Sequence, residues 1–353
     1  MENNDVLVER SGALGHLVLN RPQAINALTH GMILTIAAAL DEWERDDAVS
    51  TVLISGAGER GLCAGGDIVS IYHDARNGGD SSEQFWRDEY HLNARIARYP
   101  KPIVTLMDGV VLGGGVGISA HASHRIVTER SRIGMPETGI GFVPDVGGTY
   151  LLSRAPGELG IHAGLTGGMV SGADAIAMGM ATHYLDSAVL PTLVAELAGR
   201  EAGAAVARHG QVPPPSALAA ARWWIDECYA PDDAGTILAR LARVGDPVAT
   251  AAAETIAAKS PTAVTVTLAA LRRARKLGSL EDVLNQELRV SLRALHWPDF
   301  AEGIRAQLVD KDRNPHWNPS SLADVSPAVV EAAFADLGPR ELNLTAPAGD
   351  AVY

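Results

Sequence analysis

Three short segments with apolar, largely β-branched centres, STVLISG (50–56), IVTLMDG (103–109) and RIVTE (125–129), alternate with stretches of helical patterning. Brief runs rich in β-branched residues, bounded by glycine or polar residues, read as strands covered on both faces. Strand, crossover and strand in this order imply right-handed βαβ units and a parallel sheet packed under helices. Residues 5–9 and 14–19 add two strands around a turn at Ser11-Gly12, and residues 81–98 read as a helix opening at Ser81 or Ser82. Residues 29–45 repeat apolar side chains at helical spacing (Ile33, Ile36, Ala37, Leu40, Trp43), with Thr29 as the expected N-cap. From about residue 145 the pattern turns almost wholly helical, punctuated at Pro156-Gly157, Pro191 and Pro213 to Pro215. TAVTVTLAALRRARK (262–276) and LEDVLNQELRVSLRAL (280–295) are its clearest helices.

Charge narrows the ligand. A net charge of -13 over 353 residues argues against a nucleic-acid groove, which needs clustered Lys and Arg. It leaves room for an anionic small molecule held by a few cations and backbone N–H groups. The two cysteines, Cys63 and Cys228, make neither a disulfide framework nor a zinc spacing, so a cytoplasmic, reducing setting is expected. The opening MENNDVLVER lacks a signal-peptide pattern. The longest apolar run, Val104 to Ala120, is broken by Asp108 and several glycines, which is a buried strand and turn rather than a membrane span. The histidines show no metal-ligand spacing, and no metal is expected.

Two glycine turns, AGGD (64–67) and GGG (113–115), are each expected directly after a buried strand. Glycine N–H groups at the C-terminal ends of parallel strands can approach a ligand closely, and two aimed at one carbonyl oxygen form an oxyanion hole. GVGISA (115–120) also fits the G-x-G-x-x-A dinucleotide fingerprint. Its following acid, Glu129, lies only 14 residues after Gly115 where about 20 is expected, so these glycines are read as spacing a close strand–helix turn. In MPETGIGFVPD (135–145), Glu137 and Asp145 sit among glycine, proline and apolar residues. A carboxyl in such surroundings has its pKa raised, which suits an acid or base working near neutrality. The structural alternatives are that Glu137 caps a helix or pairs with Arg132, and that Asp145 is the N-cap of a helix starting at Val146.

With these residues assembled, the chain resembles the crotonase (enoyl-CoA hydratase/isomerase) superfamily. NRPQAINAL (20–28), GLCAGGDI (61–68), GGGVGISAH (113–121), MPETGIGFVPDVGGTY (135–150) and GMATHYLD (179–186) match its blocks in order. Within it, RDEYHLN (87–93), PETGIGFVPDVGG (136–148) and the tail FAEGIRAQLVDKDRNPHWNP (300–319) resemble the 3-hydroxyisobutyryl-CoA hydrolase branch. The resemblance implies an α/β crotonase-like fold of repeated ββα units. It places an acyl-CoA core at about 1–200 and a helical C-terminal region with the hydrolase-type tail at 201–353. Gly66 and Gly114 would be the oxyanion amides, Glu137 the shared catalytic acid and Asp145 a second catalytic acid. Glu89 would bind substrate, and Ala24, Ala64, Gly65, Asp67 and Ile68 would line the coenzyme A path through backbone atoms.

One departure separates branches. Hydratases carry a second catalytic glutamate just after the GGG turn, where this chain has Gly117. Adding water across a C=C needs a paired acid and base, whereas thioester hydrolysis asks for an oxyanion hole and a carboxylate. The expectation is a thioester hydrolase acting on a small-molecule acyl-CoA, without a separate cofactor and without membrane or nucleic-acid partners. A homo-oligomer is compatible with the resemblance. The alternatives are a single-glutamate hydratase or isomerase, a coenzyme A binder without turnover, and a nicotinamide dehydrogenase.

Overall fold

The computed structural model describes residues 4–77 and 79–346. Its contacts divide the chain into two compact units, each assembled from three separate segments rather than from one half of the chain. The first comprises Met1–Asp67, Asp88–Gly134 and Met169–Ser216; the second comprises Ile68–Arg87, Met135–Gly168 and Ala217–Tyr353.

All the strands of the described residues lie in the first unit: β1 (Val6–Ser11), β2 (Leu14–Leu19), β3 (Thr51–Gly56), β4 (Ile103–Met107), β5 (Val110–Leu112), β6 (His124–Val127), β7 (Arg132–Gly134), β8 (Met169–Ser171) and β9 (His183–Tyr184). A six-stranded sheet runs β1-β2-β3-β4-β6-β9; only the β1–β2 hairpin is antiparallel. The uninterrupted burial of β4 and of β3 up to Ile54 explains their continuous apolar sequence. Helix His30–Arg45 packs here through Met32, Ile33, Ile36, Leu40 and Trp43, and the Thr29 hydroxyl accepts the Met32 N–H as its expected cap. Gly15 makes the fit close, since a Cβ there would lie 2.6 Å from the Trp43 ring.

A smaller sheet, β5-β7-β8, was not legible in the sequence. The short strands correct two expectations. The GGG turn follows the three-residue β5 rather than the long strand β4, and β8 and β9 interrupt the region expected to be almost wholly helical after residue 145. Strands of two or three residues are too short to display an alternation.

The second unit is built of helices around Phe142. Its ring stacks on Trp86 at 5.5 Å and tilts against Phe300 at 5.0 Å. Gly141, at φ 71°, passes so close to the backbone that a Cβ would lie 2.3 Å from the Asp299 carbonyl oxygen. Helices Pro261–Ala274 and Leu280–Ala294 match the two expected from periodicity, each capped by the serine before it. The tail packs onto this unit: Trp317 donates its indole N–H to Ala258 O, and Arg289 pairs with Glu341 at 2.8 Å. No helix of the described residues is long and apolar enough to cross a membrane.

Candidate active site

In the first unit, short bridges bring the two glycine turns together. Cys63 donates its N–H to Val110 O and accepts from Leu112 N–H, so the chain entering AGGD runs alongside β5. On the other side, Leu28 N–H bonds Gly65 O at 2.8 Å and Asp67 N–H bonds Leu28 O at 2.8 Å. This pairing leaves the intervening Gly66 N–H outside the ladder, and Gly114 opens helix Gly114–Ser119, where an N–H has no intrahelical acceptor. Neither N–H donates to another group among the described residues. A Cβ added at Gly114 would lie 3.3 Å from Gly66 N, 3.2 Å from Leu28 Cδ1 and 2.7 Å from Glu89 Oε1. Gly66, Gly114 and Glu89 therefore surround one small space that only a hydrogen at position 114 leaves open. Gly115 is glycine for a different reason: a Cβ there would sit 2.6 Å from Cys63 O. That close approach, at the start of a helix of six residues, gives Gly115 a structural reason of its own.

Glu89 stands on helix Ser81–Ala97 and is buried. One turn on, Asn93 is fully buried, and neither its Oδ1 nor its Nδ2 has a hydrogen-bond partner among the described residues. An asparagine inside the buried stripe of a helix is its only sequence signal. The proposed coenzyme A path is more committed than expected. Ala64 N–H donates to Ile25 O and Asp67 N–H to Leu28 O, while the Asp67 carboxylate meets Arg21 at 3.4 Å. Ala24 closes the 3-10 turn Pro22–Ala24, and Gly65 takes φ 108°, open only to glycine. Ile68, the residue after Asp67, begins helix Ile68–Asn77.

In the second unit, Glu137 opens the 3-10 turn Glu137–Ile140 and is 7% exposed. Its carbonyl accepts the Phe142 N–H, and the Phe142 ring anchors the turn between Trp86 and Phe300. Lys259 approaches the same turn: a Cβ at Gly139 would lie 3.3 Å from its Nζ, and burial lowers its pKa. Asp145, 5% exposed, does not cap a helix starting at Val146. Val146 and Gly147 are both left-handed (φ 53° and 77°), and the helix begins at Gly148 with Gly147 as its N-cap. The expected cap fails because the chain folds back once more: Gly148 N–H bonds the Asp145 carbonyl at 2.6 Å instead.

The carboxyl of Glu287, on helix Leu280–Ala294, does what Asp145 was expected to do. Its Oε2 accepts Gly147 N–H at 2.7 Å, and its Oε1 accepts the Thr149 N–H at 2.9 Å and the Thr149 hydroxyl at 2.5 Å. Burial pushes its pKa up to about 8, with the Asp145 charge adding to the shift, against the three donors that favour the carboxylate. The signal for Glu287 was present: it shares the helix stripe of Leu280, Val283, Leu284, Leu288 and Ser291, where a carboxyl stands among mostly apolar side chains.

Comparison with known proteins identifies the family. A family model described as enoyl-CoA hydratase/isomerase matches residues 14–334. The chain is 39% identical over 352 residues to the 3-hydroxyisobutyryl-CoA hydrolase, mitochondrial, of Danio rerio, covering 97% of this chain and 92% of that protein. To the Homo sapiens protein of the same name it is 36% identical over 350 residues, covering 96% and 90%. Among solved structures, a carnitinyl-CoA dehydratase from Mycobacterium thermoresistibile superposes with TM-score 0.93 at 56% identity, covering 96% of this chain and 98% of that one. An enoyl-CoA hydratase from Rhodobacter sphaeroides 2.4.1 superposes with TM-score 0.91 at 42% identity, covering 96% and 100%. With a crotonase fold, paired glycine turns and a family match across most of its length, the chain belongs to the enoyl-CoA hydratase/isomerase family.

Proposed function

We propose that the chain is an acyl-CoA thioester hydrolase, with 3-hydroxyisobutyryl-CoA, an intermediate of valine breakdown, as its substrate. The observation that carries this reading is Gly117. It lies buried inside helix Gly114–Ser119, where a hydratase needs its second glutamate, while two other buried carboxyls, Glu137 and Asp145, flank one apolar turn. The names of the relatives at 36–39% identity support it.

On this reading the thioester oxygen is taken by the Gly66 and Gly114 N–H groups, which strengthen their hold as negative charge develops there. Glu137 then either attacks the carbonyl carbon, giving an acyl anhydride and the coenzyme A thiolate, or removes a proton from a water that attacks directly. In the first route water cleaves the anhydride and regenerates Glu137; in both, the products are the free acid and the coenzyme A thiol. Asp145 orients the water, and Glu89 receives the substrate hydroxyl. Coenzyme A enters as part of the substrate, and no separate cofactor is required. Two buried free thiols, Cys63 and Cys228, suit the reducing, cytoplasmic setting of this reading.

The 56% identity to a structure titled carnitinyl-CoA dehydratase favours one competing reading, a hydratase or dehydratase with a single glutamate. Parallel assays separate them. Thiol release from 3-hydroxyisobutyryl-CoA is the expected activity. Rapid turnover of crotonyl-CoA or carnitinyl-CoA with no thiol release would replace the hydrolase reading. Glu137→Gln is expected to abolish turnover, and full activity in that variant would remove Glu137 from the mechanism.

A further inference from the structure

The turn that follows Asp145 is strained, and a residue far away in sequence holds it. Val146 is β-branched yet takes φ 53°, a conformation that persists only where its surroundings over-determine it. Glu287 supplies that constraint. Both of its oxygens are engaged, one by Gly147 and one by the N–H and hydroxyl of Thr149, so the carboxyl brackets the residues directly after Asp145.

Stability alone does not account for a carboxyl at this place. Glu287 is 1% exposed, on a buried helix face it shares with Leu280, Val283, Leu284 and Ser291, where an apolar side chain of similar volume would avoid the desolvation cost. Ionising it carries a second cost, because its charge would then stand against that of Asp145. Two unfavourable terms are retained for one gain, a single conformation of the 145–149 turn.

We infer that Glu287 is a positioning residue for Asp145, clamping Gly147 and Thr149 so that the Asp145 carboxyl is presented in one orientation to the attacking water. This rests on the hydrolase reading, in which Asp145 serves catalysis. Glu287 itself touches no reacting atom.

A double-mutant cycle with Asp145→Asn tests it. Glu287→Gln keeps the volume and can still accept from Thr149, but its Nε2 places a donor against the Gly147 N–H. In the wild-type background this variant should lower kcat for thiol release roughly tenfold to a hundredfold, the scale of a misplaced catalytic group, with KM little changed. In the Asp145→Asn background the same substitution should cost no more than about twofold, because nothing remains to be positioned. An equal loss in both backgrounds, or an unchanged kcat in folded Glu287→Gln, overturns the inference. Should Glu287→Gln fail to fold, Thr149→Val deletes one of the three bonds and carries the same cycle; additivity there overturns the inference equally. A wild-type protein that releases no thiol from any acyl-CoA removes the hydrolase reading and this inference together, whereas an active wild type with additive variants removes this inference alone.

Discussion

Gly114→Ala asks most directly whether the glycine turns do chemistry. Gly114 is not among the positive-φ residues and occupies the first turn of a helix, so alanine meets no backbone strain there. Helix propensity favours the change by up to about 1 kcal/mol. What the methyl group meets is the small space itself: Glu89 Oε1 at 2.7 Å, Leu28 Cδ1 at 3.2 Å and Gly66 N at 3.3 Å. The Gly66 amide is backbone and cannot move aside, and the buried Glu89 carboxyl is crowded as well. The methyl then stands where a substrate oxygen would approach that amide. Losing one oxyanion donor costs on the order of 10²–10³ in kcat, about 3–4 kcal/mol, and the same range is expected here. The assay is thiol release from the acyl-CoA on which the wild type is most active, beside a thermal melt of each variant. Gly115→Ala is the control. Its Cβ would collide with Cys63 O at 2.6 Å, so it should lose stability by about 1–3 kcal/mol, the usual cost of overpacking. A folded Gly114→Ala enzyme with wild-type kcat/KM would refute the oxyanion role of this turn.

Three further outcomes follow from the second unit. Phe142→Ala removes the ring between Trp86 and Phe300 and should cost about 3–5 kcal/mol in urea unfolding; a loss under 1 kcal/mol would mean that the Glu137 turn is anchored elsewhere. Glu287 has a folded pKa of about 8, above its ordinary 4.5, so its folded form keeps a proton that the unfolded chain has released. Stability should therefore be highest below pH 4.5 for this group and fall as pH rises toward 8, and a pH series on Glu287→Gln should lack that slope. His162 has the opposite sign. Burial lowers its pKa from 6.5 to about 4, so the unfolded chain binds a proton first, and its contribution is lost as pH falls from 6.5 toward 4. The His162→Gln variant, which retains a partner for the Tyr229 hydroxyl, should flatten that acid limb in the same melts.

Elements with a long period and a local cap were legible in the chain. Helix His30–Arg45 starts after Thr29 as its sequence requires, and the strand of 50–56 is recognised because it is apolar on both faces. The glycine turns and the acids Glu137 and Asp145 were likewise visible, since glycine where a backbone must pass closely and carboxyls among apolar residues each stand out within ten positions. What stayed hidden depends on partners distant in sequence. Strands β5, β8 and β9 exist because neighbouring backbones offer hydrogen bonds, and their two or three residues carry no pattern of their own. Val146 turns left-handed and Gly147 takes the N-cap place expected of Asp145, in a turn that Glu287 meets at Gly147 and Thr149 from 140 and 138 residues away. Local residue types thus set which groups are available for chemistry. Their orientation came from contacts between remote segments, since a side chain's rotamer and a turn's handedness are settled by the atoms packed against them.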